Sequence, residues 1–361
     1  MNNDNSLLTR AECNAMRGLA IMGIFLHNYC HWLGPVVKEN EYEYKQGNVD
    51  WLWRVTTNAD ALLPMHWISF FGHYGVPVFL FLSAYGLEKK YGNAQQKPGV
   101  WQFTRYHFLK LFSMMIVGFA AFTMVDAITP GRWHYDVTQI VAQLLMVNNL
   151  LPDPDHQIWP GPYWFFGLML QLYIVYRLFI YRRHWGWTVA LMAICIGIQL
   201  ALGFDNPESE AMNRYRYNFM GGMLPFGLGI LYARYGEKIL MTFHSPVTNF
   251  FGIIFSISLI YSLSGSMLGW TFVPFFICLL SVLLAELLQD INWLKGTYKV
   301  LAWMGSISGA LFVIHPVARK IFIPISRRGD IYAGLLLYII ASVCLAWLFT
   351  QLMKKIPNPK Y

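Results

Sequence analysis

The run from Met16 to His31 sets Arg17, His27 and His31 in an otherwise apolar stretch that also holds Asn28. Ionisable groups in such a stretch are costly to place, which makes each a candidate for function. An imidazole accepts a proton as a general base, and a guanidinium grips phosphate or carboxylate. Nine residues lie between Arg17 and His27. At about 1.5 Å per residue, His27 is roughly 15 Å beyond Arg17, an expected depth about halfway through a ~30 Å hydrocarbon core. The plainer reading of His27 is a hydrogen bond to a neighbouring helix. His31 shares its face one turn on and raises a metal pair. No Asp or Glu follows to complete a ligand set, so no metal is expected.

A second group, Arg105, His107 and Lys110, follows Lys89, Lys90 and Lys97. Such clusters ordinarily anchor a helix end at the membrane surface, and the sharper reading is a clamp on an anionic ligand. His315-Pro316 is expected to end the span at 298–318. There His315 either satisfies polar groups freed by the proline or meets a substrate. Trp164 and Gln171 lie in one apolar stretch, where Gln171 reads as helix–helix glue or as an acceptor contact. No GxSxG, HExxH, P-loop or GxGxxG stands in a supporting context.

The elements that must position these residues follow from composition. Of 361 residues, 56% are apolar, 17% aromatic and 13% charged, with mean hydropathy +0.39. Soluble domains run nearer 45–50% apolar and about 25% charged, so that class is excluded, as are disorder and collagen-like repeats. An all-α bundle of membrane-spanning helices is expected, as one domain over 1–361 without a soluble accessory unit. Spans are read near 14–33, 66–87, 106–126, 163–180, 187–203, 217–233, 247–264, 267–288, 298–318 and 331–353. The stretch 138–151 is short and polar, and fits a re-entrant or interfacial helix.

Charge supports that count. Ten spans with both termini in the cytoplasm put 14 basic residues inside against 10 outside. Counting 138–151 as a crossing gives 11 against 13. Arg319, Lys320, Arg327 and Arg328 break the rule by falling outside. The net charge of +8 is scattered between spans, so nucleic acid is not an expected partner. Cys13, Cys30, Cys195, Cys278 and Cys344 form no CxxC and read as small packing residues. The first span has no small-residue cleavage site and reads as an uncleaved signal anchor. The external segments 34–65 (Glu39, Glu41, Glu43, Asp50, Asp60, Trp51, Trp53) and 127–162 (Asp136, Asp153, Asp155, Trp133, Trp159) either grip a sugar or anchor at the interface. Anchoring is the simpler reading.

Five stretches taken in order resemble the acyltransferase-3 family. They are Met16–Ala20 through His27, Val76–Tyr85, Tyr163–Phe166 with Leu170–Tyr173, Leu224–Gly229, and Ala310–Pro316. Two departures stand out. The family places ten residues between its Arg and His where this chain has nine, which leaves the pair about 80° apart around a helix. Ala84 replaces a glycine of the second-span motif.

The resemblance implies a ten-span acyltransferase of the bacterial inner membrane that carries no permanently bound cofactor. Its donor would be acyl-CoA, most commonly acetyl-CoA, entering from the cytoplasm. The acceptor would be a carbohydrate hydroxyl met from the far side. Arg17 would bind the donor with Arg105 and Lys110 on its phosphates, and His27 would be the catalytic base. Asn28, Ser83 or Tyr85 would hydrogen-bond the developing oxyanion. Both direct transfer and an acyl-histidine intermediate fit the residues. A transporter or flippase without chemistry is the alternative, since Arg and His equally line substrate paths.

Overall fold

The computed structural model describes residues 7–95, 97–240, 245–357 and 359, and among these the regular structure is entirely helical. Eight helices are long and apolar enough to cross a membrane. They are Leu63–Tyr91, Val100–Ile128, Gly161–Ile180, Trp185–Asp205, Pro246–Leu263, Met267–Asp290, Ser308–Arg328 and Ile331–Met353. Arg10–Cys30 and Phe219–Leu240 have similar length, with 21 and 22 residues. Nine of the ten expected spans each overlap one continuous helical run, whereas 298–318 straddles Lys295–Ser306 and Ser308–Arg328, which break at Ile307. The protein is an all-α polytopic membrane protein.

The first helix, Arg10–Cys30, is among the least apolar of the long ones for a physical reason: much of it faces protein rather than lipid. Met16, Ile21, Ile24, Phe25 and Tyr29 are all buried. A capping box at Thr9 and Glu12 starts it, satisfying backbone N–H groups that would otherwise be orphaned. A Cβ at Gly18 would lie 1.9 Å from the Leu301 carbonyl oxygen, and one at Gly305 would lie 1.8 Å from that of Asn14. The first helix and Lys295–Ser306 thus touch backbone to backbone, the close approach that small residues permit in membranes.

The stretch 138–151 holds short helices, Val137–Leu144 at about 12 Å and a 3₁₀ turn over Asn148–Leu150, which as expected do not cross. Two sequence expectations change. His315-Pro316 does not end its span; the break falls at Ile307, and the helix Ser308–Arg328 continues through Pro316 and Pro324. His315 Nδ1 donates to the Leu311 carbonyl at 3.1 Å, one turn back along the same helix. Arg319, Lys320, Arg327 and Arg328 are accordingly helical rather than looped.

The segment after the first helix folds back into the bundle mouth. The Trp270 indole N–H donates to the Asn40 carbonyl at 2.7 Å, and Arg216 Nε donates to that of Glu41 at 3.0 Å. Tyr44 N–H bonds the Pro207 carbonyl, and Ser69 Oγ donates to that of Val37 at 2.6 Å. These bonds hold residues 37–44 inside rather than over the bundle.

Candidate active site

A cavity of about 570 Å³ opens at the end of the bundle where the first helix terminates. His27 lines it at 1% exposure. It lies in the last turn of the first helix, three residues before its end, rather than midway along it. Its Nδ1 is 2.6 Å from the Ser69 carbonyl oxygen. A carbonyl only accepts, so Nδ1 carries the hydrogen and the lone pair is on Nε2. Nε2 has no hydrogen-bond partner among the described residues. It is 3.9 Å from Glu39 Oε1 and 3.8 Å from Glu41 Oε2.

The position of Ser69 depends on Gly72. A Cβ there would lie 2.5 Å from the Gly23 carbonyl oxygen and 2.7 Å from His27 Cβ. Only glycine lets this part of Leu63–Tyr91 press against the first helix at the height of the histidine. A 3₁₀ turn over Gly72–Tyr74 follows, and the His73 ring lies 5.7 Å from that of His27.

The folded-back segment supplies acid. His31 Nδ1 is 2.9 Å from Glu39 Oε1, and the His31 ring is 4.7 Å from that of His27. Burial pushes the Glu39 carboxyl up, but His31 and His27 outweigh it and hold Glu39 below the usual carboxylate range. Burial wins at Glu41, whose carboxyl is raised despite the neighbouring His27. Two neighbouring acids are thus pushed apart, one held ionised and one more ready to keep a proton.

Aromatic rings form the walls. Tyr42 and Tyr217 stack at 3.9 Å, with the edge of Trp164 against both. Tyr217 donates to Asp155 at 2.6 Å, and Asn213 bridges Asp155 and Glu43. Opposite, Trp133 and Trp159 stack at 4.7 Å, and Trp32 meets Trp159 edge-on. Arg319 lies over Trp32 at 5.0 Å and donates to the Asn28 carbonyl at 3.2 Å. Lys320 pairs with buried Asp126 at 2.7 Å, tying two helices beside the mouth.

Of the residues singled out by sequence, His27, Asn28, His31 and Trp164 line this cavity. The others do not. Arg17, ten residues down the same helix, donates to Asn14 at 3.3 Å and does not line the cavity. Arg105 and Lys110 are exposed near the start of Val100–Ile128, at the opposite end of the bundle. Between them His107 is buried against Phe103 and Tyr173, at 4.4 and 4.3 Å. The Tyr85 hydroxyl accepts from Leu8 N–H at 3.1 Å, and Ser83 is likewise away from the cavity, two turns beyond Val76. Gln171 is glue, accepting from Phe219 N–H and donating to Asn218. His315 is fully buried and outside the lining, against Phe312, which does line it.

Sequence reasoning missed Glu39 and Glu41 as partners of His27, and missed His73 and Arg319. Two signals pointed their way: the acidity of the segment after the first helix, and the basic quartet on the wrong side for the charge rule.

Comparison with known sequences and structures gives one match. The family model described as an acyltransferase domain, that of the acyltransferase-3 family, matches residues 10–351. No curated protein and no solved structure matches. With a match across nearly the whole chain and a bundle of membrane-length helices behind it, the protein belongs to the acyltransferase-3 family and is a membrane acyltransferase.

Proposed function

We propose that this acyltransferase moves an acetyl group from cytoplasmic acetyl-CoA to a carbohydrate hydroxyl, with His27 as general base. One observation carries the reading: His27 Nε2 faces an aromatic, acid-lined cavity with its lone pair uncommitted, while Nδ1 is locked by Ser69. Stacked Trp and Tyr faces with interspersed carboxylates and amides suit a sugar, which presents C–H faces and a ring of hydroxyls.

The acceptor hydroxyl gives its proton to His27 Nε2 as its oxygen attacks the thioester carbonyl carbon. The tetrahedral intermediate collapses, the C–S bond breaks, and the departing sulfur takes the proton from His27, leaving ester and CoA. Glu39 and Glu41 stabilise the transient imidazolium from 3.8–3.9 Å. Arg319, a cation in the cavity wall beside Asn28, is better placed to face the oxyanion than Ser83 or Tyr85. An acyl-histidine route would use the same nitrogen as nucleophile. The donor's phosphates are assigned to Arg17, Arg105 and Lys110, at the opposite end from the cavity. With ten spans and cytoplasmic termini, that end faces the cytoplasm and the cavity faces out of a bacterial inner membrane.

The test is CoA release from labelled acetyl-CoA by purified wild type and His27→Ala, with an envelope-glycan extract as acceptor. Turnover by wild type alone is expected. Equal turnover by both would remove His27 from the chemistry. Acyl-CoA binding without any transfer to glycan would remove the carbohydrate.

A further inference from the structure

We propose that His27, His31 and Glu39, closed by Glu41, form a binding site for a divalent first-row transition ion of the zinc type. The end of the first helix supplies the two histidines, His27 in its last turn and His31 as its C-cap; folding adds an acid from eight residues beyond His31. One ligand atom from each of His27, His31 and Glu39 lies within 4.8 Å of the others. His31 Nδ1 and Glu39 Oε1 are 2.9 Å apart, and His27 Nε2 is 3.9 Å from Glu39 and 3.8 Å from Glu41. Metal–ligand bonds of about 2.0–2.2 Å set tetrahedral neighbours roughly 3.3–3.6 Å apart. The three separations above lie within about 0.4 Å of that range.

A second observation points the same way. His27 Nε2 is buried, unpartnered among the described residues, and aimed at the two carboxylates. Its other nitrogen donates to a backbone carbonyl, the arrangement that orients a metal-ligating histidine. Two imidazoles with two carboxylates select zinc-like ions over magnesium and calcium, which take oxygen alone. The two carboxylates also match the ion's charge. The nearby cations turn elsewhere: Lys38 to the carbonyls of His31 and Leu33, and Arg319 to that of Asn28.

An ion here takes the Nε2 lone pair, so an occupied site has no base. That consequence rests on the acyl-transfer reading above, whereas ion binding itself does not. The site would make zinc an inhibitor that competes with the acceptor and acts from the cavity side.

The test titrates tag-free, detergent-purified full-length protein with Zn²⁺ by calorimetry and with Co²⁺ by visible absorption. One ion per chain is expected, with binding at least tenfold weaker in His31→Ala and in Glu39→Gln. Glu43→Gln, whose carboxylate pairs with Lys45 at 2.9 Å, should bind as wild type does. Millimolar Mg²⁺ should not compete. Absence of saturable binding, or equal binding by His31→Ala and Glu39→Gln, overturns the site. Should Glu39→Gln fail to fold, His31→Ala and the metal-induced rise in wild-type melting temperature decide. Binding without any acyl transfer leaves the site standing and removes the reaction; transfer that zinc neither binds nor slows removes the site alone.

Discussion

The two ends of the first helix carry opposite chemistry. Its last turn presents His27 to a cavity of acids and stacked rings, held in place by bonds from Asn40, Glu41, Ser69 and Trp270. Towards its start, Arg17 bonds its neighbour Asn14, and the basic residues Arg105 and Lys110 are exposed. One end is organised before any ligand arrives. The other offers charge on flexible side chains, which suits a ligand recognised by its phosphates rather than by its shape. About 15 Å of helix separates Arg17 from His27. The one-residue-short spacing therefore matters less than it would if the two side chains had to meet.

The contrast can be broken at four places, taken from the largest expected effect. Alanine at His27 should lower transfer by about 10²–10⁴-fold while leaving thermal unfolding in detergent intact. Full activity would mean that the organised end is not where chemistry occurs. Gly72→Val forces a side chain between two backbones and against His27 Cβ. It should cost about 1–3 kcal/mol of stability and slow transfer although the base itself is retained. A melting curve and a rate together check it, and an unperturbed rate would show that the Ser69 contact is dispensable.

Glu39→Gln tests the acid pair through pH. The Glu39 carboxyl is held below its ordinary value of 4.5, so as pH falls the unfolded chain takes up this proton first. The stability that Glu39 contributes is present above about pH 4.5 and is lost as pH drops through the folded value. Wild type should exceed Glu39→Gln by about 1–2 kcal/mol at neutral pH, with the gap narrowing towards pH 4. A constant gap would mean that the carboxylate's charge is irrelevant. Smallest of all, Arg105→Ala or Lys110→Ala should raise the donor KM a few-fold with kcat kept, an effect that fades in high salt. A fall in kcat instead would show that the basic end does more than collect the donor.

Much of this was legible in the sequence because a bilayer constrains so strongly. Apolar runs of about 20 residues located most of the long helices, although the run 298–318 joins two helices that the chain breaks at Ile307. His27 stood out because an ionisable group in such a run needs a reason. What folds back was not legible. Glu39 and Glu41 sit in a segment whose composition fits an interfacial loop equally well, and bonds such as those from Arg216 and Trp270 to its backbone draw it inward. Ser83 and Tyr85 misled for the converse reason, since they share a motif with cavity residues such as Val76 but lie two to three turns further along the same helix. The Ser69 carbonyl and Gly72 act through backbone, which carries no side-chain signature. Arg319 was hidden by Pro316, read as a stop where the helix in fact continues.

The backbone contact between Gly18 and Leu301 also bears on how the protein is made. Arg10–Cys30 is poorly suited to lipid, and Lys295–Ser306, which it touches backbone to backbone, is synthesised about 280 residues later, some 15–60 s at ordinary rates of translation. Through that interval a segment bearing Arg17 and His27 waits with part of its permanent packing, that against Leu63–Tyr91, and without the rest. The last third of the chain then finishes the assembly by closing around it, so a truncation there would release an improperly seated first helix to quality control rather than a merely inactive enzyme.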